Sequence, residues 1–261
     1  MRFDMHCHTR DGSVDGQIDI QDYVRILKQK GFQGMLVTDH NTYKGYRAWL
    51  KYKKENKLKE DFVVLKGVEY DTLDAGHILV IMPQGLRLRI LEVRGLPVRM
   101  LIEIVHKYGG ILGPAHPYGA KFLGAMNSIV VASNPRLIQK FDFVEVFNTC
   151  ETKESNQKAR AMAQFYKKPG IGGSDSHRHK YVGTAYTDIN YPIKNNNDLI
   201  HAIKNGYVLG CGGEERQVRR TSVIKRILPI GPVWKIFNRS LAILNKRNHH
   251  ISLLQIFHGK N

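Results

Sequence analysis

Short apolar runs recur along the chain, and most are separated by longer stretches with helical spacing. RFDMHC (2–7), GMLVTDH (34–40), FVVLKGVEY (62–70), GHILVIM (76–82), GILGPAH (110–116), FDFVEVFN (141–148), IGGSDSH (171–177), GTAYTDI (183–189) and YVLGC (207–211) read as strands or strands with their exits, short and bounded by polar or turn residues. In the stretch at about 19–30, Ile20, Tyr23, Val24 and Leu27 fall on one helical face, and Gly31 supplies a stop. Further helices are expected at about 44–57, within 97–110, as a short piece within 118–140, at 153–167, and from about Asn196 to Lys204. Repeated β–α units predict an α/β fold with a mostly parallel, closed or nearly closed sheet.

The polar residues that interrupt this pattern are not scattered. His6, His8, His40, Glu69, His77, His116, Asp175 and His177 each sit just after, or within, an apolar run. On a strand, residues two apart point to the same face about 6–7 Å apart, so His6 with His8, and Asp175 with His177, form pairs that can share an ion. Cys7 points to the opposite face and is not expected to touch metal. Gly172 and Gly173 let backbone approach closely before the Asp175 pair. A lone carboxylate such as Glu69 ending an apolar strand is costly to bury unless it is paired or binds a cation.

Composition adds two points. At 261 residues the chain suits one large domain with a substantial core. No apolar run approaches the ~18 residues of a membrane span, and no N-terminal signal is evident. The three cysteines, Cys7, Cys150 and Cys211, are widely spaced and lack a C-x-x-C pair, which suits reduced thiols in a cytoplasmic protein. The +17 formal charge is uneven: residues 216–261 carry ten Lys/Arg and no Asp or Glu, leaving thirty basic against 23 acidic residues in the body. Charge therefore marks a boundary near Gly213, with 1–213 expected as the barrel and 214–261 as a basic, partly helical extension. From Pro232, the residues Val233, Trp234, Ile236, Phe237, Leu241, Ile243 and Leu244 would share one helical face, with Lys235, Arg239 and Lys246 on the other. Such a helix either docks on the barrel's own exterior or contacts an anionic membrane surface, peripherally, or a nucleic acid.

The elements FDMHCHTRDGSVDG, LVTDHNT, LKGVEYD, GHILV, GPAHP and GGSDSH, in this order, resemble the PHP superfamily, named for polymerase and histidinol phosphatase. The resemblance spans residues 2–177, and the pattern to about 213 suits that family's distorted (β/α)7, TIM-like barrel. It implies a metal-dependent phosphoesterase with two to three divalent ions, the mixed imidazole and carboxylate donors suiting Zn, Mn or Fe alike. By that resemblance His6, His8, Glu69 and Asp175 bind one ion, and Glu69 bridges to a second held by His77 and His116. His40 and His177 hold a third with an acid of the S-x-D-G element, Asp15, for which Asp11 is the alternative. Glu145 is expected behind the ligands or on the substrate side.

Water activated by such ions makes a Ser or Cys nucleophile unnecessary, and neither a G-x-S-x-G nor a P-loop motif is present. Glu69, Asp175 and His177 are therefore the catalytic candidates, with Asp175 or a nearby histidine moving the proton. Arg178, His179 and Lys180 are the candidate phosphate contacts, and Arg47, Tyr118 and Lys121 are weaker candidates on the same rim. His106 and His201, within helices, are expected to be surface or packing residues. The 38 residues between His77 and His116 leave little space for a large cap domain. The expected reaction is hydrolysis of a phosphomonoester, a small phosphorylated metabolite or nucleotide. The alternatives are a nuclease using the same metals and, third, a non-catalytic metal-bound regulatory barrel.

Overall fold

A computed structural model describes residues 1–59, 61–119 and 124–215. Lys121 and the amphipathic stretch from Pro232 lie outside the described residues. In chain order the elements are β1 (Arg2–Cys7), α1 (Ile20–Gln29), β2 (Gly34–Val37), α2 (Lys44–Glu55), β3 (Val63–Asp71), β4 (His77–Ile81), α3 (Val98–Lys107), β5 (Ile111–Pro114), α4 (Ile129–Ala132) and α5 (Pro135–Ile138). There follow β6 (Val144–Asn148), α6 (Lys153–Phe165), β7 (Gly170–Gly173), β8 (Ala185–Ile189), α7 (Asn196–Lys204) and β9 (Val208–Gly213).

The architecture is mixed α/β. Seven strands form a sheet in the order β5-β4-β3-β2-β1-β8-β9, curled as a half-barrel, and β6 and β7 pair separately. That pair stands between β5 and β1. The amide of Asp142 donates to the Leu112 carbonyl at 2.8 Å on one side, and the amide of Asp175 to the His6 carbonyl at 2.8 Å on the other. The wall is less parallel than its β–α rhythm predicts. β1–β2, β2–β3 and β6–β7 are parallel, whereas β1–β8, β3–β4, β4–β5 and β8–β9 are antiparallel. The reason at β3–β4 is the connection: residues 72–76 are too few for a crossover, which needs about a dozen residues, so the chain turns straight back.

Side-chain alternation sorts the interior into layers. Phe3, Met5, Leu36, Leu65, Leu79, Ile81, Ile111, Phe143 and Ile171 fill the barrel below. Continuing in steps of two, β3 reaches Glu69 and Asp71, β4 reaches His77, and β6 reaches Glu145, all on the same inner side. β1 departs from this rule. Its register slips between Asp4 and Cys7, so Met5 fills the apolar layer while His6 and His8 turn inward above it; bulges re-aim side chains in this way. Cys7 consequently packs outside, in the cluster with Ile20, Tyr23 and Leu27 of α1, away from the histidines as alternation predicts.

Candidate metal centre

The polar layer gathers residues from seven strand ends. His6 and His8, from β1, are fully buried and bring their Nε2 atoms to 3.0 Å from each other. Each is fixed from behind. His6 Nδ1 lies 2.9 Å from Glu145 Oε1, and His8 Nδ1 lies 3.1 Å from the Ser13 hydroxyl, which donates to Asp39 Oδ1 at 3.0 Å. An imidazole held at one nitrogen by a carboxylate or hydroxyl presents the other in a set direction, the usual support for a metal-binding histidine.

Glu69 occupies the middle and divides its oxygens. Oε1 lies 2.8 Å from His77 Nδ1 and 3.1 Å from His116 Nε2. Oε2 lies 3.4 Å from His6 Nε2, 3.2 Å from His8 Nε2 and 3.2 Å from His40 Nδ1. Asp175 Oδ1 stands 3.2 Å from His8 Nε2, while Oδ2 accepts from the Asn148 amide at 3.2 Å. Among the described residues, four groups have donor atoms close enough to hold an ion: His6–His8–Asp175, His8–His40–His177, Glu69–His77–His116 and His40–Asp71–His77. Neighbouring groups share His8, His40 or His77, so they form one continuous cradle.

Chain geometry at the strand ends is strained where it serves this cradle. His116 and Asp175 adopt left-handed backbone at φ 28 and φ 49, as does Asn41 (φ 51) directly after His40. Such conformations in non-glycine residues cost about 1–3 kcal/mol each and concentrate at functional sites. Asp4 anchors the β7 exit: its carboxylate accepts from the Ser174 amide at 2.9 Å and its hydroxyl at 2.6 Å. Burial pushes the Asp4 carboxyl up to about 6 despite these bonds.

Electrostatics and unmet hydrogen bonding both suit a cation. Burial pushes the Glu69 carboxyl up, but the charges of His77, His40 and His6 outweigh it and leave it well below the usual range. Asp175 follows the same pattern through His6 and His8. His40 Nδ1, His77 Nδ1, His177 Nε2 and Asp71 Oδ1 are buried, and none has a hydrogen-bond partner of proper geometry. They stand near carboxylate or imidazole atoms without pointing at them, the arrangement expected when lone pairs are turned to cation positions between the groups. A buried polar atom left so costs about 1–3 kcal/mol; divalent ions held by neighbouring groups of the cradle would satisfy them.

The remaining candidates divide. Asp15 Oδ2 lies 3.1 Å from His177 Nε2, whereas Asp11 accepts the Ile20 amide at 3.1 Å at the start of α1. Glu145 sits behind the cradle, its Oε2 also accepting the His116 amide at 2.6 Å. Arg178, His179 and Lys180 follow His177 on an exposed rim. Arg47 is tied to Glu92 at 2.9 Å. Tyr118 instead lines an outer groove with Met162 and Phe165. His106 pairs with Asp142 at 2.9 Å, and His201 stacks near Tyr207, both away from the cradle. Asp71 was not among the sequence candidates, although it follows Glu69 by two and alternation alone puts it on the same face.

An α/β barrel with an acidic and imidazole cradle at one end is the build of a metal-dependent hydrolase. The chain belongs to the PHP family: the PHP domain model matches residues 4–171, and the PHP-associated model matches residues 153–208. An uncharacterized protein of Methanocaldococcus jannaschii is 28% identical over 158 residues, 57% of this chain and 82% of its own length. Among solved structures, PsfC of Pseudomonas syringae superposes with TM-score 0.61 at 16% identity, covering 92% of this chain and 99% of its own. The lesion-specific endonuclease EndoQ of Pyrococcus furiosus gives 0.61 at 16% identity, covering 82% of this chain and 59% of its own. A two-domain Bacteroides vulgatus protein containing a predicted PHP-like metal-dependent phosphoesterase gives 0.57 at 15% identity, over 80% and 63%. The likenesses establish the TIM-like PHP fold. No helix among the described residues is long and apolar enough to cross a membrane.

Proposed function

We propose that the protein hydrolyses phosphomonoesters of small metabolites or nucleotides, using two to three divalent ions. The observation that carries this reading is Glu69, whose two oxygens face two different histidine groups, as a bridging carboxylate must. His6, His8, Asp175 and Glu69 would hold one ion; Glu69, His77 and His116 a second; His40, His177 and Asp15 a third. When bound, such ions lower the pKa of a water and neutralise phosphoryl oxygens. A monoester carries a double negative charge, which suits a cradle with several candidate cation positions better than a diester's single charge does.

The chain's own residues supply orientation and proton handling. Glu145 and the Ser13–Asp39 pair fix the His6 and His8 rings, so their Nε2 atoms need no reorganisation during turnover. Asp175, with Oδ2 held by the Asn148 amide, turns Oδ1 to the ion it would share with His8, placed to take the proton of the attacking water. His177 lies at the mouth with Nε2 against Asp15, where the two would share an ion. Arg178 and Lys180 would supply positive charge, and His179 a ring N–H, to a phosphate arriving from solvent.

The test is a substrate panel of phosphomonoesters, a simple diester and oligonucleotides, assayed separately with Zn, Mn and Fe. Turnover of a monoester, lost with a chelator and in His8→Ala, is the expected result. Cleavage of the diester or oligonucleotides alone would replace this reading with a nuclease, for which the fold likeness to EndoQ is the supporting observation. No turnover of any ester by protein holding its full metal complement would replace it with a regulatory barrel.

A further inference from the structure

We propose that Asp71 is itself a metal ligand, closing with His40 and His77 a cation position on the β3–β4 side that the three-ion scheme does not contain. Three observations meet here, and the inference rests on the reading of the cradle as a metal centre. First, the antiparallel register of β3 and β4 pairs Asp71 directly with His77. Asp71 Oδ1 lies 3.2 Å from His77 Nε2 and 3.4 Å from His40 Nδ1. Second, Asp71 Oδ1 is buried and has no hydrogen-bond partner, as is His40 Nδ1 beside it. Two imidazole nitrogens and a carboxylate oxygen thus face a common point, and none of them aims a proton at another. Third, the other end of the carboxylate is already committed: Oδ2 receives the Arg94 guanidinium, and the backbone carbonyl of Asp71 accepts the Gly95 amide at 2.9 Å. Arg94 therefore holds the group in place while Oδ1 remains turned toward the histidines.

His77 makes the position distinct. Its Nδ1 faces Glu69, and its opposite nitrogen, Nε2, faces Asp71. A carboxylate behind a metal-bound histidine normally accepts the ring N–H along the N–H direction. Asp71 lacks that alignment, and His40 contributes a second nitrogen that such an acceptor would not need. Two imidazoles and one carboxylate suit Zn, Mn or Fe rather than Mg or Ca.

Metal content separates the two roles. Wild-type protein, Asp71→Asn and Asp71→Ala would be loaded with Zn²⁺, desalted and analysed for zinc per chain, with Zn²⁺ titration by calorimetry and thermal melts as a check on folding. Asp71→Asn keeps shape and a hydrogen-bond acceptor but removes the charge, so a ligand role predicts one ion fewer per chain, or one binding step weakened at least tenfold. Glu69→Gln should disturb a different step, giving a control for general disruption. Unchanged stoichiometry and affinity in a folded Asp71→Asn would overturn the proposal, even if turnover fell, because that pattern marks an orienting acceptor. Fewer than two ions in wild-type protein would instead overturn the metal-centre reading itself.

Discussion

The two sides of the cradle are built in different ways. On the β1–β7 side, parallel strands deliver His6, His8, Asp175 and His177 from their C-terminal ends, across a seam joined by only a few backbone hydrogen bonds. On the β3–β4 side, a continuous antiparallel pair delivers Glu69 and Asp71 from the end of one strand and His77 from the start of the next. The first depends on close backbone approach and on fixed partners behind each ring. The second depends on register alone, since a one-residue slip would send Glu69 and Asp71 to the outer face. A centre supported by both inherits rigidity from the ladder and precision from the seam.

The contrast can be broken from either side. The largest effect is expected at His8, which two ligand groups share. His8→Ala should lower kcat by about three orders of magnitude, in line with the several kcal/mol that a metal contributes to the transition state, and should release at least one ion per chain. A smaller loss with unchanged metal content would show that the ladder side holds the ions alone.

Next come two glycines. A Cβ on Gly173 would fall 2.2 Å from His6 Cβ and 2.5 Å from its backbone nitrogen, whereas one on Gly67 would meet the flexible end of Leu36 at 3.0 Å. Gly173→Ala should therefore cost about 3 kcal/mol of stability and Gly67→Ala about 1 or less, read from denaturant midpoints. Equal costs would erase the distinction between seam and ladder. Glu145→Gln, behind His6 and His116, should weaken metal binding by about 10–100-fold with little change in melting temperature.

The smallest effect belongs to Glu92, which braces the loop beyond β4. Burial raises its carboxyl, but hydrogen bonds from Arg47 and Arg87 outweigh it and hold it below its ordinary value. Its stabilisation is thus present above the ordinary unfolded glutamate value of about 4.3 and fades as pH falls through the lower folded value. With half-exposed guanidinium groups, Glu92→Gln should cost only about 1 kcal/mol at neutral pH, and nothing in strong acid.

Much of this was legible in the chain. Ligand candidates follow apolar runs because a barrel's working end lies where its parallel strands finish. The departure of β4 was legible too, in one detail: His77 precedes its run, ILVIM, where His40, Glu69 and His116 follow theirs. A strand that enters at the working end must run the other way. Asp71 escaped notice because its worth depends on that reversal, which sets it opposite His77. The β1 bulge was not legible, since alternation places His6 and His8 on one face in either register and only Met5 records the slip. Asp15 could not be chosen over Asp11 by spacing, because the choice depends on which acid the first helix takes for its own amides.

The Asp4–Ser174 anchor spans 170 residues of sequence, and it lies beside ligands drawn from the same two distant segments. A growing chain therefore lacks the β1–β7 side of the cradle until nearly the whole barrel has left the ribosome. Filling of the β1–β7 side becomes a late event in the life of the molecule, after synthesis rather than during it, whereas the β3–β4 ligands are all in place about a hundred residues earlier.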